Sequence, residues 1–366
     1  MSKKAKIKIV LGSLFGDEGK GNTVQYLCKQ ALSEGKKPIV IRFCGGPQAG
    51  HRIVHNGVSH VASTFGSGSL LGIPTFYAGS PNCFIDPISL KREKQQLESL
   101  GLTPKIFIAG KPYIITPYDV IANMASSKIM GDGSCGKGIY TTYTRNAQSI
   151  VNKPWLIEDV AKFWGISERD LNLEEEYIEC YKEMSEYKTN ALVLSDYDVY
   201  IFEGTQGLLL DKDFGFMPHC TPSNVGLKGI FNAFLDEDTD VYLVTRTYLT
   251  RHGNGYDPVL ENHVVPHLDI TKEPTNLDTG CQGKFKKGIF EIPLLLRAFD
   301  RHTLDNYSVH YKLVMTHCDC IKSELVPYIG SNGYEELSGL NMLINDIITN
   351  SCIKFDNVLL FNSEEM

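Results

Sequence analysis

The apolar residues of this chain come in short runs that stop at glycine or a polar loop. "IKIVLG" (7–12), "PIVIRFCGG" (38–46), "DVYIFEG" (198–204), "DVYLVTRTY" (240–248) and "YKLVMTHCD" (311–319) each predict a buried strand. Between the first two, "NTVQYLCKQALSEGKK" places Val24, Leu27, Cys28, Ala31 and Leu32 on one helical face before a stop at Gly35. Strand, glycine loop, helix, strand is a βαβ unit, and a βαβ unit needs a parallel sheet. The fold class that follows is α/β, a large, mostly parallel central sheet flanked by helices. In such sheets ligands collect at the carboxyl ends of the strands. The charged stretch from Glu168 to Lys188 reads as an amphipathic helix with a solvated face. No repeat, low-complexity tract or obvious linker interrupts residues 1–366, so one large domain with long insertions is expected.

Composition narrows the partners. With 366 residues, 42% of them hydrophobic, the chain can bury a large core. The net charge is −7 and no Lys/Arg run extends past a few residues, which argues against nucleic acid or an anionic membrane as partner. A local basic loop for a small anion remains compatible with that charge. The opening "MSKKAKIKIVLGSLFG" leads straight into a glycine loop and reads as a first strand, not a signal peptide. No stretch approaches the roughly 18 apolar residues of a membrane helix. The ten cysteines are scattered without a CxxC, as expected of reduced thiols in the cytoplasm. The tight "HCDC" at 317–320 lacks the second cluster that a metal site of that kind requires.

"GSLFGDEGKGN" (12–22) looks like a phosphate-cradling loop, yet six residues separate Gly12 from Gly19-Lys20, and Gly21 stands where a Ser or Thr would meet Mg²⁺. The physics survives the changed spacing: glycines let backbone N–H groups approach an anion at a helix N-terminus, and Lys20 adds a positive charge. Asp17 can replace the missing hydroxyl as a hard oxygen ligand. The other reading, a tight turn with acids near the helix dipole, is equally open on the loop alone. The next strand ends in "GGPQAGH" (45–51), whose turn brings His51 toward the same place.

Taken together, "GDEGKG" (16–21), "GG-x-x-AGH" (45–51), "FEGTQGLLLD" (202–211), "PHCTPSN" (218–224) and "TRHGNG" (250–255) resemble the signatures of adenylosuccinate synthetase, in that family's order. The resemblance implies a P-loop-like, usually homodimeric enzyme that joins L-aspartate to the 6-position of IMP with GTP and Mg²⁺. It implies that Asp17 is general base at N1 and metal ligand, that the Gly50 carbonyl also binds the metal, and that His51 donates a hydrogen bond to the transferring phosphoryl. Gly16, Gly19, Lys20, Gly21 and Asn22 would hold the donor's phosphates, with Glu18 supporting the loop and His317 and Asp319 near the donor base. Gln48, Ala49, Asp132, Gly133, Ser134, Gln206, Thr221 and His252 would meet the acceptor nucleotide. Arg145, in "GSCGKGIYTTYTR" (133–145), falls where the family sends an arginine into the partner subunit's phosphate site. Thr279, Gly280, Lys284 and Lys286 would bind aspartate.

The chain departs from the family at four places. Gln48 replaces an asparagine, and Gly131 and Asp132 replace paired threonines. The arginine-rich "TTGRRRR" loop reads "DTGCQGKFKKG" (278–288), so Lys284, Lys286 and Lys287 stand in for planar guanidinium forks. At the donor base a lysine becomes His317, and the tail "LLFNSEEM" lacks the family's "STGP" turn. These changes resemble the viral branch of the family, whose members make N6-succino-2-amino-2′-deoxyadenylate from dGMP and aspartate and can use ATP. Asp132 or Ser134 would accept a hydrogen bond from the 2-amino group. The sequence therefore points first to a dGMP ligase in a host cytoplasm, then to an ordinary synthetase acting on IMP. A nucleotide-binding regulator is disfavoured, because a pure binder needs no base at N1.

Overall fold

The computed structural model describes residues 4–79, 81–130, 134–147, 156–230, 234–257, 283–303, 307–321, 325–331 and 333–362. Nine strands pair in parallel in the order 355–360, 310–316, 240–246, 6–12, 199–207, 38–42, 75–77, 106–109 and 188–189. All five apolar runs picked out in the sequence are strands of this sheet. Strand β1 (Lys6–Gly12) sits near its middle, with Ile9 opposite Phe202 on one side and Val241 on the other.

A strand covered on both faces can carry consecutive apolar residues, as β1 does over Ile9–Leu11 and β2 (Pro38–Arg42) over Ile39–Ile41. Ile9, Leu11, Ile39 and Ile41 face one core layer, while Val10 and Val40 face a second layer shared with helix α1 (Lys20–Ser33). Val24, Leu27, Cys28 and Ala31 supply the buried side of α1. Leu32, expected on that side, is instead 45% exposed, one residue from the helix end. The charged segment is the amphipathic helix expected, with one buried charge on its inner face. Its helix, Leu171–Glu186, buries Tyr177, Cys180 and Met184 at helical spacing, and Glu174 is buried as it accepts hydrogen bonds from Arg169 at 2.7 Å and Tyr118 at 2.6 Å.

The chain leaves β1 toward β2 on one side and later builds 240–246 on the other. The order therefore switches direction at β1, and the loop following β1 opens at the sheet's carboxyl edge, where α/β sheets bind ligands. Among the described residues no helix is long and apolar enough to cross a membrane.

Candidate active site

Loop 12–19 turns from β1 into α1 through three left-handed residues, Gly16 (φ 97°), Asp17 (φ 55°) and Gly19 (φ 91°). Two glycines tolerate that conformation; Asp17 does so only when held. Arg246, at the end of the neighbouring strand, donates its Nε–H to the Asp17 carbonyl and its Nη1–H to the Tyr248 hydroxyl at 2.7 Å. Thr316 donates to the Glu18 carbonyl at 2.9 Å, and the Leu14 N–H donates to the Glu18 carboxylate at 2.5 Å across the loop. Glu18 is thus a buried strut, and burial pushes its carboxyl up to about 7. Asp17 points outward, with 34% of its side chain exposed and Oδ2 3.3 Å from His252 Nε2. Burial raises the Asp17 pKa, but His252, Arg246 and Lys20 outweigh it and hold the carboxyl below its ordinary range. A hard, ionised oxygen therefore stands at the N-terminus of α1, beside Lys20.

His51 is not in a turn, as the sequence suggested, but opens the strand His51–His55 of a hairpin with Val58–Ala62. Its Nδ1 is 2.5 Å from Glu203 Oε1, and among the described residues its buried Nε2 has no hydrogen-bond partner. Burial lowers the imidazole pKa against the pull of Glu203. Burial works against the Glu203 charge too, yet His51, Arg42 and Ser67 hold that carboxyl down at about 2. Gly21, in the first turn of α1, lets the ring approach: a Cβ there would lie 2.7 Å from His51 Cβ and 3.0 Å from Ser67 Oγ. Gly21→Ala is expected to shift the ring and, as misplacements on the order of 1 Å do, to lower kcat by about 10²-fold. Kinetics beside a thermal melt check this; unchanged kcat would show that the ring's position is unimportant.

Other expected contacts gather at the same edge. Gln206 ends the strand 199–207, and its Oε1 would lie 3.8 Å from a Cβ at Gly16. Gln48 accepts from the Gly46 N–H at 2.8 Å, and among the described residues its buried Nε2, His252 Nδ1 and Asn22 Oδ1 have no hydrogen-bond partner. Buried polar atoms are normally paired, so unpaired ones converging on one edge suit a polar ligand. Ala49 is buried and Gly50 exposed beside them. The strand Phe285–Gly288 pairs with Leu249–His252, setting Lys286 opposite Arg251 and Phe285 opposite His252, 4.6 Å ring to ring. Lys284 accepts a backbone hydrogen bond from Gly253 at 3.2 Å, and Lys286 pairs with Asp257. His317, also left-handed (φ 57°), is buried edge-on against Tyr248, with Asp319 in the turn after it.

Thr221 and Ser134 are each anchored within their own segments. Thr221 is on the loop organised by Asp211, its N–H bonded to the Leu210 carbonyl at 2.8 Å, and Ser134 bonds Asn123 at 3.0 Å. Asp132, Gly133, Thr279 and Gly280 lie outside the described residues.

Arg145 is held within its own chain. Expected to reach a partner's phosphate site, it is instead 1% exposed within its own subunit, its Nε and Nη2 forked onto Asp119 at 2.9 Å each. A third hydrogen bond runs to the Ile114 carbonyl at 2.9 Å. A guanidinium so committed closes the helix 139–147 onto 117–130.

Among the described residues no three His, Cys, Asp or Glu side chains gather as a metal-ligand set. The ionised Asp17 carboxylate is nevertheless the kind of oxygen that fits Mg²⁺, which takes one or two carboxylates and completes its shell with phosphate and water.

A parallel sheet whose glycine loop opens a helix at the switch point, with Lys20 and an ionised Asp17 at that helix end, defines a phosphate-binding α/β protein. The adenylosuccinate synthetase family model matches residues 9–325. The chain belongs to the adenylosuccinate synthetase family. It is 32% identical to the adenylosuccinate synthetase of Porphyromonas gingivalis over 284 residues, 69% of this chain and 65% of that protein. It is 28% identical to that of Leuconostoc mesenteroides over 308 residues, 74% and 70% of the two chains. The match thus spans slightly less than two thirds of the Porphyromonas protein. Among solved structures, fully ligated adenylosuccinate synthetase from Plasmodium falciparum superposes with TM-score 0.74 at 20% identity, covering 99% of both chains. Succinoaminodeoxyadenylate synthetase of cyanophage S-2L, bound to dGMP and dATP, superposes with TM-score 0.67 at 15% identity, covering 97% of this chain and 92% of that one. At those identities both likenesses speak for the fold alone.

Proposed function

We propose that the chain is a C–N bond-forming ligase of purine nucleotide biosynthesis, joining L-aspartate to the 6-position of a 6-oxopurine nucleotide with hydrolysis of a nucleoside triphosphate. The observation that carries this reading is an ionised, outward-pointing Asp17 at the N-terminus of α1, with His51 packed against the same turn. A lactam carbonyl is a poor electrophile. Asp17 takes the N1 proton, O6 attacks the γ-phosphorus, and the nucleoside diphosphate leaves. The aspartate amine then attacks C6, and O6 departs as part of inorganic phosphate. The backbone amides at 19–21 and Lys20 hold the donor's phosphates, and His51 Nε2 faces the transferring phosphoryl. Mg²⁺, held by Asp17 and the Gly50 carbonyl, would neutralise phosphate charge.

On the acceptor, similarity to the curated synthetases supports IMP. A specific feature favours dGMP as the second reading: "DTGCQGKFKKG" carries lysines where the family has arginines touching the ribose 2′-OH. Losing that fork lowers the penalty for a deoxyribose, because no buried donor is left unpaired. Steady-state kcat/KM for IMP and dGMP, each with ATP and with GTP, decides between them. IMP is expected to be the better substrate; a preference for dGMP overturns that assignment and installs the second. No product with any pairing, in folded protein, overturns ligation itself.

A further inference from the structure

The ligase reading gives His51 a task and leaves Glu203 without one, although Glu203 is fully buried in the middle of the strand 199–207, 152 residues away in sequence. We propose that Glu203 is the positioning residue for His51: it fixes the ring on the Nδ1–H tautomer and turns Nε2 toward the turn that opens α1. This rests on the ligase reading only for what Nε2 does.

The carboxylate is held from several sides. Ser67 donates its N–H to Oε2 at 3.0 Å and its hydroxyl to Oε1. The Arg42 guanidinium, also fully buried, lies 3.8 Å from Oε2 and is itself tied to the Ser63 carbonyl at 3.0 Å. With donors and a cation around it, Glu203 is an ionised acceptor, so the ring nitrogen 2.5 Å away is the one that carries the proton. With Nδ1–H given to Glu203, Nε2 is left as the site that takes a further proton, and once protonated it can donate to the transferring phosphoryl while Glu203 holds the ring's other N–H; among the described residues Nε2 has no hydrogen-bond partner. Gly66 makes room for the arrangement, since a Cβ there would lie 3.3 Å from Glu203 Oε2 and 2.5 Å from Val40. A carboxylate that orients a histidine in this way costs far more activity when removed than its own contacts would suggest, because the ring loses both tautomer and direction.

The test reads the ring directly. Ring-¹⁵N-labelled protein is compared as wild type, Glu203→Ala and Glu203→Gln, with His51→Gln to assign the resonance. The wild-type His51 signal is expected to be that of the Nδ1–H form. Glu203→Ala is expected to move it toward the Nε2–H form and to lower kcat by about 10²-fold, with nucleotide KM changed less than about threefold. Glu203→Gln keeps an acceptor and is expected to restore the Nδ1–H signal and part of kcat. An Nε2–H signal in wild type, or a signal unchanged in Glu203→Ala, overturns the proposal. So does an unchanged kcat in Glu203→Ala beside a shifted ring. The spectra need no turnover, so they judge the positioning even if the ligase reading fails.

Discussion

Asp17→Asn is expected to lower kcat by about 10²- to 10⁴-fold, the worth of a positioned general base, while the fold and its melting temperature stay close to wild type. The fold should survive because the features that place residue 17 do not involve its charge. Asn tolerates the left-handed φ of 55° as well as Asp does, and Arg246 holds the backbone carbonyl, not the side chain. The amide oxygen can still accept from His252. What is lost is the one outward oxygen that can take a proton at N1, along with a hard metal ligand. Near-normal turnover in Asp17→Asn, with Mg²⁺ saturating, would remove Asp17 from the mechanism.

Arg145→Leu is the second large effect, and it falls on stability. The substitution strips the fork from Asp119 and leaves a buried carboxylate with only Thr116 and the Trp164 indole N–H to satisfy it. Breaking one partner of a buried ion pair costs about 3–5 kcal/mol, so the melting temperature should drop by several degrees or the variant should fail to accumulate. Arg145→Lys, which keeps the charge but not the fork, should fall between the two. A partner-reaching arginine predicts the opposite: wild-type stability in Arg145→Leu, lost activity, and recovery when it is mixed with Asp17→Asn. Thermal melts and mixed-subunit assays separate the two outcomes.

The five central strands were legible in the sequence because most of their residues are buried and so read as short apolar runs, and because the glycine loop and α1 follow β1 directly. The loop's chemistry was legible for the same local reason, since Gly16 to Gly21 are contiguous. What the sequence concealed is long-range. Glu203 lies in a motif that was recognised, but no spacing rule ties it to His51. Arg246 looks like an ordinary strand end, and only the folded chain brings it onto the Asp17 carbonyl. The Asp119 partner of Arg145 was concealed because a motif match fixes a position in the chain, not the direction of a long side chain. Asp119, the group that captures it, is 26 residues away on the preceding helix. Leu32 failed for a simpler reason: helical periodicity continues to the last turn, whereas the surface it would cover does not.

The most direct test of the central claim follows one oxygen atom. The account routes O6 of the purine through a 6-phosphoryl species, so a nucleotide labelled with ¹⁸O at the 6-position, turned over with aspartate, Mg²⁺ and nucleoside triphosphate, should deliver its label to inorganic phosphate, one ¹⁸O per product formed. Mass spectrometry of the phosphate and of the succino-nucleotide reads both fates at once. Label found in water, or phosphate released without label while product accumulates, would contradict the account.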